Sequence, residues 1–223
     1  MKLPHFLVIW KQHQKLIIHQ LWQLLIFLLS LRQGVKHILV GLSSLEEVDL
    51  IIAALPKKVR GRPKKDERNN INNKRDALCK AALVLLSAAL EAYCERLCGE
   101  CNTYLKEKLG GLLDKSDYDF IERSIKGSHG ADTKHITGLF SLVGIPWITY
   151  ESIGWQKNSP AGIRKELRAM ASVRNRIAHG AKSTVSEGRV LYWRNFVFRF
   201  ADKLEEITGN HLAKRTNTNR PWQ

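Results

Sequence analysis

Arg174, Asn175 and His179 stand close together in Arg174-Asn-Arg-Ile-Ala-His179-Gly180. A guanidinium, an amide and an imidazole at this spacing supply a permanent cation, an orienting hydrogen-bond group and a proton carrier that works near neutral pH. Phosphodiester cleavage needs such a set. On a helix Asn175 and His179 share a face, so the amide can hold the imidazole in one orientation. Arg174 lies about 140° round the helix from His179 and roughly 7.5 Å along it, within reach of its long side chain. A histidine in the last helical turn also feels the negative end of the helix dipole, which favours the imidazolium form. The same residues suit a plain helix end, with Arg and His bonding free carbonyls, and spacing alone leaves both readings open.

Two other clusters carry chemistry in principle. Lys57, Lys58, Arg60, Arg62, Lys64 and Lys65 surround Arg60-Gly61-Arg62-Pro63, a core that resembles an AT-hook, in which an extended Arg-Gly-Arg-Pro enters the narrow minor groove of A·T-rich DNA. A sequence-tolerant grip on any phosphate backbone is the reading preferred here. The cysteines Cys94, Cys98 and Cys101 match an iron–sulfur spacing, but their four-then-three step lines one helical face, as a buried stripe does. No zinc-ligand pair, phosphate-cradling glycine loop, serine elbow or carboxylate cluster for magnesium is legible. No cofactor and no metal are therefore expected. His129, His135 and the remaining histidines form no interpretable spacing.

The elements that must position the helix-end turn follow from periodicity. From Asp76 the residues Leu78, Ala81, Ala82, Leu85, Leu86, Ala89, Leu90, Tyr93 and Leu97 recur at three- and four-residue steps, predicting a long helix that ends near Gly110-Gly111. Shorter helices are expected at about 116–126 and 132–144. Ser159-Pro160 reads as an N-cap and first helical residue, and Gly180 as the left-handed stop after His179. A last helix carries Val190, Trp193, Phe196, Val197, Phe200, Leu204 and Ile207 on one face, a core stripe. The fold class is all-α, a bundle of four to five helices over 76–209. Residues 1–55 read as an N-terminal helical extension, with Ser44 capping its second apolar segment, 56–75 as a solvated basic linker, and 210–223 as a polar, frayed tail.

With that frame, Arg174-x4-His179, Asn175 beside the arginine, Gly180 after the histidine and the upstream Leu86-Ser-Ala-Ala-Leu-Glu91-Ala-Tyr93 resemble HEPN domains, and more narrowly their RiboL-PSP branch, over about 76–209. The resemblance implies a bundle that dimerises so that two motifs meet at one cleft. Active members are metal-independent endoribonucleases, often toxins or antiviral defence effectors, and some relatives are inactive scaffolds. It further implies that His179 is the general acid/base, Arg174 the transition-state cation and Asn175 the orienting group. Glu91 enters as a supporting polar residue, or equally as a solvated carboxylate.

Composition agrees with a polyanionic partner: the 223 residues carry a formal charge of +15. Nine Lys/Arg against Asp66 and Glu67 place much of that excess in residues 56–75. The four cysteines and the lack of a cleavable leader point to a reduced, cytoplasmic setting. Residues 6–31 are the most apolar stretch, but polar interruptions leave it short of a stable membrane span, which takes about 20 apolar residues. The expected partners are RNA, DNA through the basic linker, a second copy of the chain, and a neutralising antitoxin. The competing expectation is a non-catalytic nucleic-acid-binding or scaffold protein that dimerises through the bundle.

Overall fold

The computed structural model describes residues 44–56, 65–110 and 114–222. The segment 6–31, Ser44's side chain and the AT-hook-like residues Lys57, Lys58, Arg60, Arg62 and Lys64 lie outside what is described. The described residues fall within one compact unit, His37–Gln223. In chain order they form α1 (Ser44–Ala53), α2 (Lys65–Leu109), α3 (Lys115–Lys126), α4 (Thr133–Ser141), a single π-helical turn (Ile148–Ser152), α5 (Pro160–Ala178) and α6 (Glu187–Thr216). No strand occurs among them, and the all-α bundle stands.

The spine is α2, whose 45 residues extend over about 67 Å at ~1.5 Å per residue. Cys79, Leu83, Leu86, Leu90, Cys94, Leu97, Cys98, Cys101 and Leu105 are buried along one side, at the three- and four-residue steps of a core-facing stripe. The cysteines are packing residues: Cys98 donates to the Leu139 carbonyl at 3.3 Å, and burial pushes its thiol up to about 12. Among the described helices α2 alone is long and apolar enough to cross a membrane, and half of that apolar window is buried inside the protein.

Alongside α2 runs α6, burying Trp193, Phe196, Val197, Phe200, Ala201 and Leu204. The two helices are joined where Tyr93 Oη donates to the Ala201 carbonyl at 2.9 Å. Helix α5 lays Ile163, Leu167 and Met170 into the same core. Glu166 fastens it to α6 by accepting bonds from Arg189 Nη2 and Trp193 Nε1, both at 3.0 Å.

Three boundaries differ from the periodic reading. Helix α2 begins at Lys65, eleven residues before its apolar stripe. Residues 66–70 are exposed, so they bury nothing themselves. Once a packed helix is nucleated each added residue gains a hydrogen bond at little further cost, and Asp66 and Glu67 suit its positive end. The C-terminal stretch is not frayed from 210, because α6 continues to Thr216, with Leu212 fully buried and Arg215 Nη1 bonded to the Val143 carbonyl at 3.0 Å. Helix α1 is docked: Leu45 and Val48 are buried, and Asp49 accepts two bonds from Arg194 of α6, at 3.0 and 2.6 Å.

Candidate functional site

Helix α5 is built to end where it does. Ser159 caps its start, the side chain accepting from the Gly162 N–H at 3.2 Å, with Pro160 at the first position. At the far end Gly180 adopts φ +69°, a conformation that a Cβ disfavours. Ala181 N–H bonds Arg176 O at 2.9 Å and Gly180 N–H bonds Ile177 O at 3.1 Å, the paired pattern that closes a helix on a left-handed residue. His179 occupies the last, half-helical position, its N–H bonded to Asn175 O at 3.0 Å.

This closure turns the backbone away and leaves the side chains outside. His179 and Asn175 are exposed and Arg174 is half-buried. None of the described residues engages the His179 imidazole, and the Asn175, Arg176 and Ile177 carbonyls are met by backbone N–H groups. Neither Arg174 nor His179 is therefore occupied in capping among the described residues.

The residues open into two adjoining depressions. One, of about 450 Å³, is lined by Arg168, Asn175, Arg176 and His179, with Asp132 its one acid. Residues 168, 172, 175 and 179 recur at helical spacing, so Arg168 was legible as a fourth member of this face; Arg176 lies beside it. The second depression, of about 250 Å³, lies toward α2 and is lined by Ser87, Glu91, His129, Asp132, His135, Arg174 and Asn175. Arg174 faces it because it follows the buried Met170 by one helical turn. Asn175, Ala171 and Asp132 border both spaces. Arg174 and His179 thus flank one seam from two sides. Asn175 orients the arginine rather than the imidazole: Arg174 Nη1 donates to Asn175 Oδ1 at 3.1 Å.

Glu91 does share the inner depression with Arg174, but its ionic neighbour is His129, whose Nδ1 lies 3.8 Å from Glu91 Oε1 and 3.7 Å from Glu95 Oε1. Burial, then the nearby Glu91 charge, pushes the Glu95 carboxyl above its usual range, with His129 opposing. Glu95 and His129 were missed in the sequence, where nothing signals that positions 95 and 129 meet. Asp132 is likewise hidden: it caps α4 by accepting from His135 N–H at 2.9 Å. Burial opposes its charge, but the His135 backbone and ring outweigh that and lower its carboxyl.

Size does not select the site. A larger groove, about 810 Å³ between α2, α3 and Trp222, is lined by Glu95, Glu100, Glu107 and Glu122 against Arg96 and Lys126. So acidic a wall repels a phosphate, whereas the smaller depression beneath His179 attracts one. Lys65 is the first residue of α2 and is not among the residues lining either space.

Residues 45–210 match the RiboL-PSP-HEPN family. The chain belongs to that family. The match takes in α1 and the first turns of α2, both of which the apolar periodicity alone leaves outside the bundle. It ends within α6. Comparisons with curated proteins and with solved structures give no match.

Proposed function

We propose that this RiboL-PSP-HEPN protein is a metal-independent endoribonuclease that cuts RNA at the turn closing α5. One observation carries the reading: His179 is exposed, and engaged by none of the described residues, at the lip of a depression that also holds Arg168 and Arg176, with Arg174 held beside it by Asn175. Family membership, with its nuclease associations, supports it.

The chemistry uses what the turn offers. The 2′-hydroxyl of the substrate attacks the adjacent phosphorus while the bond to the 5′-oxygen of the next nucleotide breaks. A 2′,3′-cyclic phosphate and a free 5′-hydroxyl result. His179 takes the 2′-proton or delivers one to the leaving oxygen, and the fixed positive charge of Arg174 stabilises the extra negative charge of the phosphorane-like transition state. Arg168 and Arg176 hold neighbouring phosphates. Two chains pair so that both turns border one cleft, each imidazole serving one of the two proton transfers. The proposed setting is cytoplasmic, as a toxin or antiviral effector with a neutralising partner, and the basic segment around Arg60 and Arg62 adds affinity for nucleic acid.

The test compares the parent with His179→Ala and Arg174→Ala on RNA in EDTA. General acid–base catalysis by one side chain accounts for roughly 10²- to 10⁴-fold in rate, so each variant falls by at least the lower figure. A parent that leaves RNA intact, or variants that cut equally well, would refute the nuclease reading. In that event A·T-duplex binding that depends on Arg60 and Arg62 but not on His179 would mark a non-catalytic DNA-binding protein.

A further inference from the structure

Beyond that reading, which calls for no metal, the edge of the inner depression, where Glu91 and His129 meet Glu95 of the neighbouring acidic groove, carries a second kind of chemistry. Ser87, Glu91 and Glu95 follow one another at four-residue steps on α2, so they form a column on one helical face. His129, from the turn between α3 and α4, stands opposite. One nitrogen and two carboxylate oxygens from Glu91, Glu95 and His129 all lie within 4.8 Å of one another. Two half-buried carboxylates thus converge with a single imidazole between them, and among the described residues no Lys or Arg is bonded to either.

The spacing fits an ion better than it fits hydrogen bonds. At 3.7 and 3.8 Å from the two carboxylate oxygens, His129 Nδ1 is too distant to bond either one. Ligands about 2.1 Å from a tetrahedral zinc are separated by roughly 3.4 Å, so the two His129 separations need to contract by only a few tenths of an ångström, and the two carboxylate oxygens already lie within 4.8 Å of each other. A separate observation points the same way. Ser87 is only 4% exposed and lines the depression, yet its Oγ has no hydrogen-bond partner among the described residues. An unsatisfied buried hydroxyl is costly and is ordinarily met by a bound group.

We infer that Glu91, Glu95 and His129 bind one Zn²⁺ ion, whose remaining position holds a water that hydrogen-bonds Ser87. The imidazole ligand selects a borderline transition ion over Mg²⁺ and Ca²⁺, which prefer oxygen. Three protein ligands leave the shell open, as in zinc sites that keep a water. The ion ties α2 to the turn before α4, the turn whose Asp132 borders both depressions. It therefore stiffens the wall opposite Arg174.

The experiment titrates the metal-free full-length chain with Zn²⁺ by calorimetry, and with Co²⁺ as a spectroscopic stand-in. One equivalent binds, Co²⁺ shows tetrahedral visible bands without a thiolate charge-transfer band, and excess Mg²⁺ does not compete. Glu91→Gln, Glu95→Gln and His129→Ala each weaken binding by roughly a hundredfold or more, and Ser87→Ala by on the order of tenfold. Zn²⁺ raises the thermal midpoint of the parent and not that of His129→Ala, as linkage requires. His129 is exposed, so its variant folds without Zn²⁺ and serves as the reference. No binding by the parent, equal binding by His129→Ala, or a thiolate band assigning the ion to cysteines would each overturn the site. None of these readouts involves RNA, so the site and the nuclease reading fail separately.

Discussion

Asn175 Oδ1 accepts a 3.1 Å hydrogen bond from Arg174 Nη1, and one helical turn later His179 emerges beside the same asparagine. The amide therefore stands at the seam between the guanidinium and the imidazole and holds the former.

Replacing Asn175 with Ala releases Arg174 into several rotamers while leaving its charge. Positioning is lost and the cation is not, so the expected fall in single-turnover RNA cleavage is on the order of tenfold, smaller than that of Arg174→Ala. Because Asn175 is exposed, the thermal midpoint stays close to the parent's. A rate equal to the parent's would remove Asn175 from the site.

Glu166 is the clasp between α5 and α6. Its Oε2 accepts from Arg189 and from Trp193 Nε1, each at 3.0 Å, and Trp193 is 2% exposed. Glu166→Ala leaves that indole N–H buried and unsatisfied, at a cost of about 1–3 kcal/mol. Urea unfolding measures the loss, and Glu166→Gln, which keeps an acceptor, recovers most of it. An unchanged midpoint for Glu166→Ala would mean that water replaces the carboxylate.

His211 sets a pH dependence. Burial, reinforced by Arg215 and Lys214, holds its imidazole below the ordinary 6.5, and its ring stands edge-on to Trp147 at 5.6 Å. The unfolded chain takes up this proton near pH 6.5 and the folded chain only at lower pH, so protons favour unfolding in between. The contribution of neutral His211 is complete above that value and declines as pH falls through and below it. His211→Gln removes this component: below pH 6.5 its unfolding free energy declines less steeply than the parent's. Parallel curves would exclude His211 as the source.

The outline of the site was legible because its parts are local. Ser159, Pro160 and Gly180 mark the two ends of α5 through capping and φ preferences that act over a few residues, and the buried positions 163, 167 and 170 continue one helical face. The RiboL-PSP-HEPN resemblance was carried by the same short segments. The start of α2 was less legible: Lys, Arg and Asn at 65–75 look alike in a linker and in an exposed helix, and only the packed helix downstream decides between them.

By itself the sequence determined that α5 ends at His179, that the cysteines of α2 lie on one buried stripe, and that an arginine and a histidine share the closing turn. The tertiary structure alone decided that Arg174 and His179 open into different spaces, and that Glu91 and Glu95 meet His129. Helical periodicity and caps are written within a few residues of one another. Contact between residues 34 positions apart depends on how separate helices pack, and no local pattern encodes it.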